Sequence, residues 1–148
     1  MENFIKPFTT KIADLVIFLK KTREGFEFAS DEMDEDHLRL TLRGLAIETK
    51  QYEQEIKSQL QMLKIEDTLT TVEFGNDETL KNIRSIKHAA SLKEILNICS
   101  NTEICFEKMY SNVLNEYFPY KTLRDMLVYQ LNGIKYAFLK LKLLNSIQ

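Results

Sequence analysis

From Ser91 to Tyr117 apolar residues return every three or four positions: Leu92, Ile95 and Leu96, Cys99, Phe106, Tyr110, Val113 and Leu114, and Tyr117. An α-helix turns once in about 3.6 residues, so this spacing lays them along one face. A strand would divide the same residues between the two faces of a sheet. Glu103 falls inside the apolar face. A carboxylate surrounded by apolar side chains needs a partner, a proton or a metal beside it. The stretch therefore sets two expectations: a long amphipathic helix, and something that answers Glu103.

Three other stretches repeat the pattern. Residues 1–8 read as an N-terminal arm, with Thr9 or Thr10 capping a first helix over about 9–33 whose core positions are Ile12, Leu15, Leu19, Phe26 and Met33. Ser30 to Asp34 is the turn, and Asp34 is the expected N-cap of a second helix over about 35–63. That helix carries Leu38, Leu42, Leu45, Thr49, Tyr52, Ile56, Leu60 and Leu63, close to a seven-residue repeat. The third helix spans about 91–117, opened by the capping-box pattern Ser91-x-x-Glu94. Pro119 suits the first turn of a fourth, over about 119–146, striped by Leu123, Leu127, Ile134, Ala137, Leu141 and Leu144. Residues 64–90 break the period and read as a crossover containing a short helix at about 77–87. Connections that run short, long, short predict an all-α chain: an antiparallel four-helix bundle, residues 9–148, with a long crossover between the second and third helices.

Composition removes several functional classes. Only four Gly and two Pro among 148 residues, with 44% hydrophobic residues, agree with helices rather than a turn-rich β fold. A net charge of −2 with no basic stripe argues against nucleic acid as a partner. No apolar run approaches the ~20 residues of a membrane span, and the first residues are too mixed for a signal peptide. Cys99 and Cys105 are separated by a rise of ~9 Å on one helix and point apart, so they cannot pair with each other. Two reduced thiols suit a cytoplasmic protein.

The helix order and crossover look like the ferritin-like bundles. Within them, Glu24-Gly25-Phe26 with Ala29, Glu48 with Tyr52 and Ile56, Glu103 with Tyr110 and Leu114, and Gln130 with Ile134 carry local patterns over roughly residues 9–146. In these the chain resembles an uncharacterised bacterial four-helix-bundle family, a domain of unknown function of the DUF2383 type. The resemblance implies the fold; that family has no chemistry to carry over.

A di-iron centre in such a bundle takes a Glu from each of two helices and a Glu-x-x-His from each of the other two. Here the corresponding pairs are Glu48-x-x-Gln51 and Glu107-x-x-Tyr110, and neither ends in His. The fourth helix has no acidic residue after Asp125 and no His. The expectation is no metal and no enzymatic activity. The alternative is an iron- or manganese-handling protein using Glu24, Glu48, Glu103 and Glu107. A second arrangement uses the polar residue that interrupts each stripe: Arg23, Thr49, Glu103 and Gln130. All lie near helix midpoints, so they can form a polar layer in which Arg23 neutralises Glu103 and the other two complete the hydrogen bonds. The competing reading puts one or two of them at the stripe edge, reaching water.

The fourth helix carries a second apolar stripe, Val128, Tyr136, Leu139 and Leu143, turned away from the first. One helix cannot bury both faces in a four-helix core. Either the arm or crossover covers it, or a partner does, with a homodimer as the default. The expected role is association, with itself or another protein.

Overall fold

The structure is a computed structural model that describes residues 2–65 and 92–146. Four helices make up nearly all of it: α1, Glu2–Glu32; α2, Asp36–Met62; α3, Leu92–Leu114; and α4, Lys121–Ser146. No strand occurs among the described residues. The expected crossover, with its short helix, lies outside the described residues.

α1 begins at Glu2, so the expected arm is helix from its second residue and runs through Pro7. Proline removes one backbone donor there, near an end where several donors lack intrahelical acceptors anyway. The packing of Phe8 offsets the loss: its ring is fully buried, stacked 4.3 Å from Phe118 and 6.0 Å from Tyr120. α2 starts one residue later than the sequence suggests, because Glu35 rather than Asp34 is the N-cap. The Glu35 carboxylate accepts from His37 N–H at 3.0 Å and Leu38 N–H at 2.7 Å. α3 ends at Leu114, three residues early, because Arg124 reaches over from α4. It donates to the carbonyls of Leu114 and Glu116 at 2.9 and 3.0 Å, and its guanidinium lies 4.5 Å over the Phe118 ring. Pro119 precedes α4 instead of opening it.

α1 packs on α2 and α3, and α4 packs on α3 and α2. Arg23 faces Glu53 and Asp31 faces Arg43 between α1 and α2. Tyr110 meets Gln130 and Glu103 meets Lys142 between α3 and α4. Gln130 meets Glu55, and Gly133 lies against Glu48, between α4 and α2. Phe8 meets Phe118 just beyond α3, while Phe18 meets Phe106 within it.

Phe18, Phe26, Phe106 and Phe138 fill the middle from α1, α3 and α4, with successive ring centroids 5.0 to 6.5 Å apart. All four are buried. Truncating one such ring to Ala typically costs about 3–5 kcal/mol. Buried hydroxyls on these helices satisfy themselves locally: Thr22, Thr49 and Thr102 each donate to the carbonyl four residues back.

Candidate functional site

Of the four expected layer residues, Gln130 and Thr49 are buried, while Arg23 and Glu103 sit part-exposed at opposite seams. The expected Arg23–Glu103 pair does not form. Arg23 belongs to the α1–α2 seam, where Nη1 donates to Glu27 at 2.8 Å and Nε lies 3.6 Å from Glu53. Burial works against the charge of Arg23, and the carboxylates of Glu27 and Glu53 outweigh it, so its pKa is raised. Glu103 belongs to the α3–α4 seam, where Lys142 Nζ donates to it at 2.9 Å. The phenylalanine cluster spans the centre from α1 to α3 and α4. Thr49 turns its hydroxyl onto the carbonyl of Leu45, in its own helix. The single polar layer is thus replaced by two ionic seams around an apolar centre.

Gln130 instead anchors a cluster the sequence reading did not assemble. Its Oε1 accepts from the Tyr110 hydroxyl at 2.8 Å. Its Nε2 donates to Glu55 Oε1 at 3.0 Å and to the Tyr52 carbonyl at 3.3 Å. The Tyr52 hydroxyl donates to Glu48 Oε2 at 2.6 Å. A Cβ on Gly133 would stand 2.2 Å from that hydroxyl, so only glycine lets the Tyr52 ring lie across α4. Burial pushes both phenols well above the ordinary tyrosine range, helped at Tyr52 by the Glu48 carboxylate. They remain protonated donors, and the cluster ties α2, α3 and α4 in one register. A signal for it existed in the sequence: Tyr52 and Tyr110 lie in the core stripes, and a buried tyrosine hydroxyl needs an acceptor.

The most buried carboxylate among the described residues is Glu53, 4% exposed and held 2.8 Å from Lys57 Nζ. In the sequence its neighbour Tyr52 takes the stripe position, which hides Glu53. Its place four residues after Thr49 and three before Ile56 was the available signal.

The alternative metal set is not gathered. Glu24 is exposed on α1, Glu48 is bonded to Tyr52, Glu103 to Lys142, and Glu107 is half-buried on α3. Among the described residues no three His, Cys, Asp or Glu side chains come together so as to hold a metal ion. Burial pushes the Cys99 thiol up to about 12, so it is protonated and poorly nucleophilic at neutral pH.

On the outer side of α4, Val128, Tyr136, Leu139 and Leu143 are all exposed, joined by Tyr129. Beside them, a groove of about 420 Å³ opens between α2 and α4 and is lined by Leu40, Gly44, Leu45 and Ala137, with Glu48 and Lys140 among its walls. No described helix is long and apolar enough to cross a membrane.

No family model, curated protein or solved structure matches this chain.

Proposed function

We propose that this chain is a non-enzymatic helical-bundle protein that acts by association, with a second copy of itself as the partner. The observation that carries the reading is the double use of α4. Leu123, Leu127, Gln130, Ile134, Phe138 and Leu141 are buried, which completes the helix's share of the core. Val128, Tyr136, Leu139 and Leu143 nonetheless form an exposed apolar row on its other side. An exposed apolar row on one helix face is a surface suited to association, and identical chains pair most often about a two-fold axis.

The topology we assign is that of an antiparallel ferritin-like bundle. α2 and α3 both run opposite to the helices they pack on, so they share a direction. That shared direction is the one a bundle with a long crossover between its second and third helices has. This supports kinship with the bacterial family of unknown function resembled in sequence, and the reading assigns the protein to the cytoplasm with no metal or cofactor.

Sedimentation velocity at several concentrations tests the proposal. Wild-type protein is expected to sediment as a dimer that dissociates on dilution. Leu139→Glu is expected to sediment as a monomer with unchanged helical circular dichroism. A chain that is monomeric at every concentration, or a dimer indifferent to Leu139→Glu, overturns the reading.

A further inference from the structure

We infer that the two copies meet with α4 antiparallel on α4, crossing near Tyr136, so that the apolar row of each protomer seats in the α2–α4 groove of its partner and Lys140 of one faces Glu48 of the other. This rests on the association reading above and specifies its geometry.

Row and groove lie side by side on one surface, over the same turns of α4. The groove is open along α2: nothing stands within 4 Å of the place a Cβ on Gly44 would take. A projection beside a hollow is self-complementary under a two-fold axis, because each copy offers what the other lacks.

Five side chains between 43 and 70% exposed, Val128, Tyr129, Tyr136, Leu139 and Leu143, present on the order of 500 Å². A standard interface buries roughly 800 Å² per partner. The row alone falls short, and the adjoining groove, with Leu40 61% exposed at its wall, supplies more.

The row runs from Val128 to Leu143, and Tyr136 is its midpoint, so an antiparallel crossing there overlaps the whole row. Any other centre leaves one end bare. Lys140 lies ~6 Å along the axis beyond Tyr136, at about 1.5 Å per residue. The two-fold carries the partner's copy of Lys140 to the other side of Tyr136, near the level of Gly133. Glu48 is there: its Oε2 is 3.2 Å from where a Gly133 Cβ would be. Lys142 and Lys121 already pair with Glu103 and Asp125, whereas Lys140 makes no ion pair among the described residues. A parallel arrangement would set Lys140 against its own copy, at a repulsive cost.

Charge reversal tests this on the full chain. Lys140→Glu and Glu48→Lys are each expected to raise the dimer Kd roughly tenfold. The double variant is expected to return within about threefold of wild type. Glu48→Lys also removes the acceptor for Tyr52, so a second probe guards against a folding defect. Tyr136→Cys in a Cys105→Ser background is expected to form a disulfide between protomers under mild oxidation, whereas Lys121→Cys in the same background is not. If the double variant is no better than the singles, or Tyr136→Cys fails to cross-link, the crossing is wrong. When Leu139→Glu still abolishes that dimer, association itself stands. A monomer under all conditions overturns both.

Discussion

The Tyr52 ring lies so close to α4 that one methyl group decides how α2 and α4 meet. Gly133 sits inside a helix, where replacing glycine by alanine ordinarily stabilises by about 0.5–1 kcal/mol. Here the new Cβ would come within 2.2 Å of the Tyr52 hydroxyl and 3.3 Å of its Cζ. The ring is stiff and its hydroxyl is tied to Glu48 at 2.6 Å, so the seam must open. Gly133→Ala is therefore expected to lose about 1–3 kcal/mol in a urea titration. In a Tyr52→Phe background the same change should be close to neutral, because the nearest atom is gone. An alanine that stabilises the wild-type chain would show that the contact yields freely. Gln130 was visible in the sequence as a break in an apolar stripe. Its partners were not, because hydrogen-bond direction depends on helix rotation, which spacing locates only to within a side chain or so. The same limit put Arg23 and Glu103 on one level and concealed that they face different seams.

The four helices were legible because their apolar periods run for six or more turns, and a pattern that long is hard to produce by accident. Their ends were less so. Residues 1–8 read as an arm, yet the burial of Phe8 accompanies an α1 that starts at Glu2, a tertiary effect that local signals do not contain. The end of α2 shows a local rule met by an unusual residue. Ile65 N–H donates to Leu60 at 2.8 Å and Lys64 N–H to Gln61 at 3.1 Å, the paired bonds of a Schellman cap. Lys64 holds the left-handed position at φ 62°, where glycine carries no steric penalty. Lys64→Gly is expected to raise stability by about 0.5–1 kcal/mol, read as a higher urea midpoint with unchanged slope. The other end of α2 is pH-sensitive. Backbone hydrogen bonds from Leu38 and His37 hold the Glu35 carboxyl below its ordinary 4.5. A depressed folded pKa contributes stability above the unfolded value, and that stability is lost as pH falls through the folded one. Glu35→Ala should therefore lower the thermal midpoint at pH 7, and its deficit should shrink as the pH is taken below 4.5. A deficit constant from pH 7 to pH 3 would mean that the charge on Glu35 does not matter to the cap.

Among the described residues, the ion pairs of the α1–α2 and α3–α4 seams lie on either side of a cluster of phenylalanine rings. Arg23, Glu27, Glu53 and Lys57 close the α1–α2 seam, and Glu103 with Lys142 closes the α3–α4 seam. Phe26 reaches Phe106 and Phe138 between them, so neither ionic group senses the other through a shared partner. This separation makes a prediction about additivity. Arg23→Met removes a cation from beside Glu53, which is 4% exposed and then depends on Lys57 alone. Leaving a buried carboxylate under-paired is strongly unfavourable, whereas removing both partners is much less so. Arg23→Met with Glu53→Gln should thus be more stable than the two single losses predict, by about 1–2 kcal/mol. Arg23→Met with Glu103→Gln should add within about 0.5 kcal/mol, as expected for sites with no common neighbour. Urea unfolding of the three single and two double variants measures both couplings in one series. Coupling between Arg23 and Glu103 would bring back a single polar layer through the core; coupling confined to Arg23 and Glu53 means that each helical hairpin keeps its charges at its own seam.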